Sequence, residues 1–356
     1  DASKRLLRTH LTVTFHRRKV GHLLGSHNFD LRVVGIGLGD EDRHPAHLRL
    51  PRDPEVVCLL DFDAPKGKSR RIWPYDLLNK GVPRALHKFD HGHALVVSGG
   101  SGRTGAARLA ARGALRIGAG LVTLGVPPSA QMEVASQITA LMLARVADTE
   151  ALSAVLEDER INALCLGPGL GLERARALVP VAVRAERAPH VVLDADGLSA
   201  YADDPAVLCD MLHERCVLTP HGGEFARLFP DIAEKLKAVP ERGPAYSKVD
   251  ATREAAARCG AIVLFKGPDT VIAHPAGRCS VHAAEFGRDA PWLATAGAGD
   301  VLAGFITGLL ARGLEPMEAC EAAAWLHVEC ARTFGPGLIA EDLPEILPKV
   351  LGDLSA

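Results

Sequence analysis

Ala94-Leu95-Val96-Val97-Ser98-Gly99-Gly100-Ser101-Gly102-Arg103-Thr104-Gly105-Ala106 is an apolar run that stops abruptly in a glycine-rich turn and then continues in helix-favouring residues as far as Ile117. A short apolar run without polar alternation reads as a strand buried on both faces. Strand, turn and helix in that order form the first half of a βαβ unit. The same unit recurs downstream. Strands are expected at 94–98, 120–125, 161–166, 190–194, 216–219 and 261–266. Helices are expected at 104–117, 172–187, 222–229, 247–259, 300–312 and 315–334, with a short β-meander filling 269–283. The fold class is therefore α/β, a mostly parallel central sheet with helices on both faces.

Working outward, residues 1–62 hold two strand-like runs, Leu11-Thr12-Val13-Thr14-Phe15 and Leu31 to Leu38, with the basic cluster His16-Arg17-Arg18-Lys19 between them. Two or three strands cannot bury a core alone, so this piece reads as the tail of another domain. Residue 1 is Asp rather than Met, and a fragment or a processed product is expected. Residues 63–93 lack either hydrophobic period and are rich in Pro and basic residues, as a linker is. The regular pattern occupies 94–356.

Composition limits the function classes. The 356 residues are 47% hydrophobic and 24% charged, with 41 Lys plus Arg against 43 Asp plus Glu. A formal charge of −2 recruits neither nucleic acid nor an anionic membrane. The apolar stretches, such as Val301 to Leu310, are too short and interrupted to span a bilayer. The eight cysteines (58, 165, 209, 216, 259, 279, 320 and 330) show no C-x-x-C pair or metal-ligand spacing. They are expected to be mostly buried reduced thiols, with no disulfide framework, in a cytoplasmic protein that acts on small molecules.

In parallel sheets ligands bind beyond the carboxyl ends of the strands, and five strand-end turns are unusual. Ser98–Ala106 places glycines before a helix start, where free N–H groups favour an anion. Gly167-Pro168-Gly169-Leu170-Gly171 opens a second helix, and Asp194-Ala195-Asp196-Gly197 sets two carboxylates at a strand end. Pro220-His221-Gly222-Gly223-Glu224 follows the next strand. There His221 serves as a turn residue or a ligand contact, and Glu224 as a complement to the helix dipole. Lys266-Gly267-Pro268-Asp269-Thr270 offers an ammonium suited to a nucleotide phosphate, or a lysine that merely snorkels to solvent. The sharpest signal is Ala296-Gly297-Ala298-Gly299-Asp300-Val301. Gly297, Ala298 and Gly299 can converge backbone N–H groups into an anion hole, with Asp300 at its mouth as a base; the plainer role for Asp300 is a helix-start charge.

Taken together, Val97-Ser98-Gly99-Gly100-Ser101, Thr104-Gly105-Ala106, Gly118-Ala119-Gly120-Leu121-Val122, the Gly-Pro-Gly-Leu-Gly turn, Leu193-Asp194-Ala195-Asp196, Thr219-Pro220-His221-Gly222-Gly223-Glu224, the Lys266 turn and Gly299-Asp300 resemble the ADP-dependent (S)-NAD(P)H-hydrate dehydratase family, in order and spacing across residues 87–352. Leu11–Phe15 followed by Lys19-Val20-Gly21-His22-Leu23-Leu24 resembles the closing strands of the NAD(P)H-hydrate epimerase domain that precedes the dehydratase in bifunctional members. No epimerase activity is assigned to this chain.

The resemblance implies a ribokinase-like fold and repair of damaged nicotinamide cofactors. ADP, with Mg²⁺ expected beside its phosphates, would phosphorylate the hydroxyl of the (6S)-hydrate of NADH or NADPH, and loss of phosphate would restore the ring. Asp300 would be the catalytic base and a substrate contact, and Gly299 would touch the AMP moiety. Lys266, Gly267, Pro268, Asp269 and Thr270 would form the nucleotide turn, while Ala106, Gly169 and His221 would contact the hydrate. A homo-oligomer is a further expectation drawn from the family alone. Ala298 stands where many relatives carry Thr, which removes a hydroxyl but keeps the backbone N–H groups. The alternatives are a ribokinase-like kinase acting on a vitamin precursor or sugar alcohol, and a nucleotide-binding protein without catalysis. An NAD-dependent oxidoreductase is disfavoured because Gly100, Gly102 and Gly105, although spaced as G-x-G-x-x-G, are followed by no acidic residue at the second strand end, Val122 to Gly125.

Overall fold

The computed structural model describes residues 11–15, 30–34, 57–59, 78, 80, 87–239, 245–284 and 287–355. Most of the expected linker, the basic cluster at 16–19 and the 19–24 motif lie outside the described residues. Strands β1 (Leu11–Phe15) and β2 (Asp30–Val34) pair in parallel as a separate two-stranded sheet. β3 (Val57–Leu59) does not join them. It pairs in parallel with the far edge strand of the main sheet, although it falls within the 1–62 segment.

The main sheet has ten strands in the order β3-β12-β11-β10-β9-β8-β7-β4-β5-β6. They are β4 (His93–Val97), β5 (Leu121–Val126), β6 (Met142–Arg145), β7 (Ile161–Leu166), β8 (His190–Leu193), β9 (Cys216–Leu218), β10 (Ile262–Phe265), β11 (Asp269–Ala273) and β12 (Cys279–Ala283). From β6 to β10 all pairings are parallel; β10, β11 and β12 then run as an antiparallel meander. Neighbouring side chains along each central strand enter opposite cores. Ala94, Val96, Ala163, Cys165, Val192 and Ile262 pack with α1 (Gly105–Arg116), α5 (Ala298–Ala311), α6 (Pro316–Phe334) and α7 (Asp342–Ser355). Leu95, Val97, Leu164, Leu166, Leu193 and Val263 pack with α2 (Leu172–Val183), α3 (Gly222–Leu228) and α4 (Lys248–Cys259). Both cores are apolar, which is why the strands lack polar alternation.

The expected strands and helices all form, with ends displaced by a few residues. The largest displacement is in α2, which closes at Val183 instead of 187 because the chain turns back through Ala188, at φ 44°, to enter β8. The strands and α-helices that were not anticipated are β3, β6, the helices Thr149–Leu156 and Pro230–Lys237, α7, and the short helices Gln131–Ala135, Asp196–Ser199 and Pro205–Cys209. β6 is a partly exposed edge strand, and α7 contains Pro348. The cysteine expectation needs one correction. Cys165, Cys216, Cys320 and Cys330 are free and buried and Cys279 is buried, but Cys209 and Cys259 form a disulfide. They end two helices whose termini approach to a Cα–Cα distance of 4.3 Å, a proximity that a separation of 50 residues conceals.

The position of α5 is set by its crossing over α1. A Cβ added at Gly304 would lie 2.1 Å from the Ala110 carbonyl oxygen, and one at Gly308 would lie 2.6 Å from that of Ala114. Glycines at i and i+4 thus lie over alanines at i and i+4, and the two helix backbones touch. Gly304→Ala is expected to push α5 off α1 and lower stability by about 1–3 kcal/mol, the usual cost of overpacking. Urea denaturation of the variant against the parent reads this, and an unchanged midpoint would contradict the crossing.

Candidate active site

The strand-end turns come together because glycines let their backbones touch. A Cβ at Gly99 would meet the Gly169 carbonyl oxygen at 2.0 Å, and one at Gly167 would meet the Asp194 carbonyl oxygen at 1.6 Å. The turns after β4, β7 and β8 are therefore stacked in contact along one sheet edge. Ala195 between the two aspartates sits at φ 47°, a conformation that costs a non-glycine residue about 1 kcal/mol or more. The β10 turn joins the row through Lys266 N–H, which donates to the Pro220 carbonyl at 2.9 Å.

At the centre of this edge lies a charge cluster. Lys266 Nζ donates to Asp194 Oδ1 at 2.6 Å and stands 4.0 Å from Glu224 Oε2, with the two carboxylates almost wholly buried. Burial pulls the Lys266 ammonium towards deprotonation, but the charges of Asp194, Glu224 and Asp300 outweigh it and its pKa is raised. Burial also raises the Glu224 carboxyl, Lys266 opposes this and Asp194 adds to it. Asp300 is pushed up to about 7, first by burial and then by the Asp194 charge, against the pull of Lys266.

Asp300 lies in the first turn of α5. Gly297, at φ 89°, turns the chain into that helix; a Cβ there would strike Leu109 and Ala340. Among the described residues, the N–H groups of Gly299 and Asp300 have no protein acceptor. Gly299 faces the cluster, since a Cβ there would lie 3.3 Å from Lys266 Nζ. Below the turn, His327 Nε2 bonds the Ala298 carbonyl at 2.8 Å, and burial holds the His327 pKa down at about 4. The neutral imidazole therefore donates, fixing the first peptide of α5. Two unpaired N–H groups at a helix start, an ammonium and a carboxyl that titrates near neutrality can stabilise a transferring phosphoryl group and remove a hydroxyl proton.

The structure brings Lys266, Gly297, Ala298, Gly299 and Asp300 together. Ala106 and Gly169 adjoin each other, a Cβ on the glycine lying 3.5 Å from that of Ala106. His221 has a structural task as well as an exposed ring: its Nδ1 accepts from Gly223 N–H at 2.9 Å while Glu224 accepts from His221 N–H, a reciprocal cap on α3. Asp269 and Thr270 point into their own turn, Asp269 to Lys248 at 2.8 Å and Thr270 to the Gly267 carbonyl at 3.0 Å. Sequence reasoning missed Glu133, whose carboxylate receives Ser101 Oγ, Gly102 N–H and Thr104 Oγ1 at 2.7, 2.7 and 2.5 Å. Bonds from Thr104, Gly102 and Ser101 draw the Glu133 pKa down to about 2. No local motif signals it.

The fold is that of a ribokinase-like α/β protein, and the candidate site sets two unpaired N–H groups and a buried carboxyl at one helix start. The chain resembles a ribokinase-like superfamily protein of Enterococcus faecalis at TM-score 0.65 and 22% identity, over 79% of this chain and 94% of that one. Residues 94–349 match the model of the NAD(P)H-hydrate dehydratase family, and the chain belongs to that family. It is 38% identical over 303 residues to the bifunctional NAD(P)H-hydrate repair enzyme Nnr of Moorella thermoacetica, covering 80% of this chain and 54% of the relative. The corresponding Thermofilum pendens enzyme matches at 31% over 97% of this chain and 62% of its own length. The chain thus spans little more than half of these relatives. The ADP/ATP-dependent NAD(P)H-hydrate dehydratase of Bacillus subtilis, co-crystallized with ATP/Mg²⁺, superposes at TM-score 0.62 and 26% identity over 79% of this chain and 96% of its own.

The raised Asp300 pKa has a consequence for stability. A carboxyl with a raised folded-state pKa contributes stability that is fully present below the ordinary carboxylate range and lost as pH rises towards about 7. Asp300→Asn removes the buried charge. Its thermal midpoint is expected to exceed the parent's by about 2–4 °C at pH 8, with the gap opening between pH 4 and 7 and then levelling. A gap independent of pH would show that Asp300 titrates normally.

Proposed function

We propose that this chain dehydrates the (6S)-hydrate of NADH or NADPH with ADP as co-substrate, releasing NAD(P)H, AMP and phosphate. The observation that carries this is Asp300, a carboxyl titrating near pH 7, set in the unpaired N–H groups that open α5 and facing Lys266 across Gly299. Asp300 takes the proton of the hydrate's hydroxyl as that oxygen attacks the terminal phosphoryl group of the nucleotide. The N–H groups of Gly299 and Asp300, with the Lys266 ammonium, offset charge on the transferring phosphoryl oxygens. Phosphorylation turns a poor leaving group, hydroxide, into phosphate, whose departure together with a proton from the adjacent ring carbon restores the ring double bond. Gly297, Ala298 and Gly299 shape the anion hole, whose open donors are the Gly299 and Asp300 N–H groups because Ala298 N–H donates to the Thr295 carbonyl at 3.4 Å. Lys266–Thr270 form the nucleotide turn, while Ala106, Gly169 and His221 line the hydrate's side.

Mg²⁺ bound with the nucleotide would neutralise phosphate charge. It usually keeps several waters and takes only one or two carboxylates, and Asp194, Glu224 and Asp300 beside Lys266 are carboxylates of this edge. We also read residues 1–62 as the tail of an epimerase domain and 63–93 as a linker, a reading supported by the bifunctional relatives. No helix among the described residues is long and apolar enough to cross a membrane. The free buried thiols of Cys165, Cys216, Cys320 and Cys330 support a cytoplasmic setting, and the Cys209–Cys259 pair counts against it.

The test is to mix the protein with (6S)-NADHX and ADP, ATP or no nucleotide, following reduced-nicotinamide absorbance together with AMP, ADP and free phosphate. NADH recovered with equal AMP and phosphate, only when ADP is present, is the expected result. A phosphorylated product with no free phosphate would identify a small-molecule kinase instead. Asp300→Asn is expected to lower kcat by about 10²–10⁴-fold, and in the parent kcat/KM should fall below pH about 7 as Asp300 takes up its proton. Turnover retained in the variant would remove Asp300 from the base role.

A further inference from the structure

The turn Lys266–Thr270 is held from behind by a residue that the proposed chemistry does not use. Lys248, in the first turn of α4, has a side chain only 12% exposed. Its Nζ donates to the Asp269 carbonyl at 2.9 Å, to Asp269 Oδ1 at 2.8 Å and to the Lys266 carbonyl at 3.3 Å. It also lies 4.4 Å from the Phe265 ring centroid. All four contacts fall on the segment 265–269. The fit leaves no slack, since a Cβ at Gly267 would lie 2.6 Å from Nζ.

A planar peptide fixes what this grip does. The Lys266 carbonyl and the Gly267 N–H belong to one rigid unit and point in opposite directions. Drawing the carbonyl down to Lys248 therefore aims the Gly267 N–H away from it, and among the described residues that N–H has no protein acceptor. Thr270 Oγ1 draws the Gly267 carbonyl inward in the same way. The turn thus keeps its carbonyls inside, which favours an anion at its outer face. Lys248 Nζ and Asp269 Oδ1 pair at 2.8 Å with both side chains largely buried, so the clamp lies inside the turn and is not offered to a ligand; burial lowers the Lys248 pKa and the Asp269 charge opposes that.

We propose that Lys248 is the positioning residue of the nucleotide turn, holding the peptide that aims Gly267 N–H and the Lys266 side chain at the nucleotide phosphates without touching them. This rests on the reading of 266–270 as the nucleotide turn, and the variants are chosen to separate the two ideas. In the full chain, Lys248→Met is expected to raise the KM and the calorimetric Kd for ADP by roughly 10- to 100-fold, the scale seen when residues that orient binding groups are removed. Its KM for the hydrate should stay within about twofold of the parent, and Lys248→Arg, which keeps charge and donors, should recover part of the ADP affinity.

Lys266→Ala serves as the reference. If it weakens ADP binding but Lys248→Met does not, the positioning role is overturned while the nucleotide turn stands. If Lys266→Ala leaves ADP binding intact, the turn itself is misassigned and the proposal falls with it. A Lys248→Met variant in which kcat and both KM values worsen together shows a general structural role and overturns the proposal. Should Lys248→Met fail to fold, Lys248→Gln and Lys248→Arg are read by the same split, and no selective change in ADP affinity in either overturns it.

Discussion

One ammonium facing three carboxylates is the constraint around which this protein is arranged. Lys266 sits at the end of β10, Asp194 at the end of β8, Glu224 in the first turn of α3, and Asp300 in the first turn of α5. A single positive charge cannot balance three negative ones where burial has removed water. Asp194 holds the close contact at 2.6 Å, so Glu224 and Asp300 bear the imbalance and retain protons more readily than free carboxyls do. The raised proton affinity of Asp300 thus comes first from burial and then from where the other charges are spent.

That arrangement depends on backbone contacts far from any charge. Gly304 and Gly308 let α5 lie directly on Ala110 and Ala114 of α1, and this crossing brings Gly297 and Asp300 to the sheet edge. Gly99 against Gly169, and Gly167 against Asp194, pull the remaining turns into the same row. The glycines act as contact points at which two main chains share the space that a methyl group would fill. A bulkier residue at Gly304 would shift a core helix, and through it the helix start that carries Asp300.

Much of this was legible in the amino-acid order. Central strands buried on both faces appear as unbroken apolar runs, so β4, β7, β8, β9 and β10 were placed closely, and the turns that follow them were found by their glycines and charges. β6, partly exposed at an edge, and α7, interrupted by Pro348, lack such signals. In the site, Asp300 and Lys266 were visible because each ends a local pattern. The electrostatic part of Glu224, the cap made by His221 and the support of Ala298 by His327 were not, because they depend on which elements meet in space. The disulfide between Cys209 and Cys259 was missed for the same reason.

The residues that escaped the sequence share a physical task. A turn at a parallel-sheet edge has few backbone partners, yet it must be rigid to present N–H groups to an anion. Three turns here borrow that rigidity from distant side chains. Glu133 gathers donors from the Ser101–Thr104 loop, and Arg174 binds the carbonyls of Ser98, Val146 and Ala147 at 3.2, 2.6 and 2.8 Å. Lys248 holds the carbonyls of Lys266 and Asp269. In each case one charged group satisfies several backbone or hydroxyl groups at once, the strongest kind of neutral-to-ion hydrogen bonding. The division follows from geometry: motif residues line the strand-end edge and must sit where the chain turns, whereas the residues that stiffen the turn approach from behind, on whichever helix the fold has packed there.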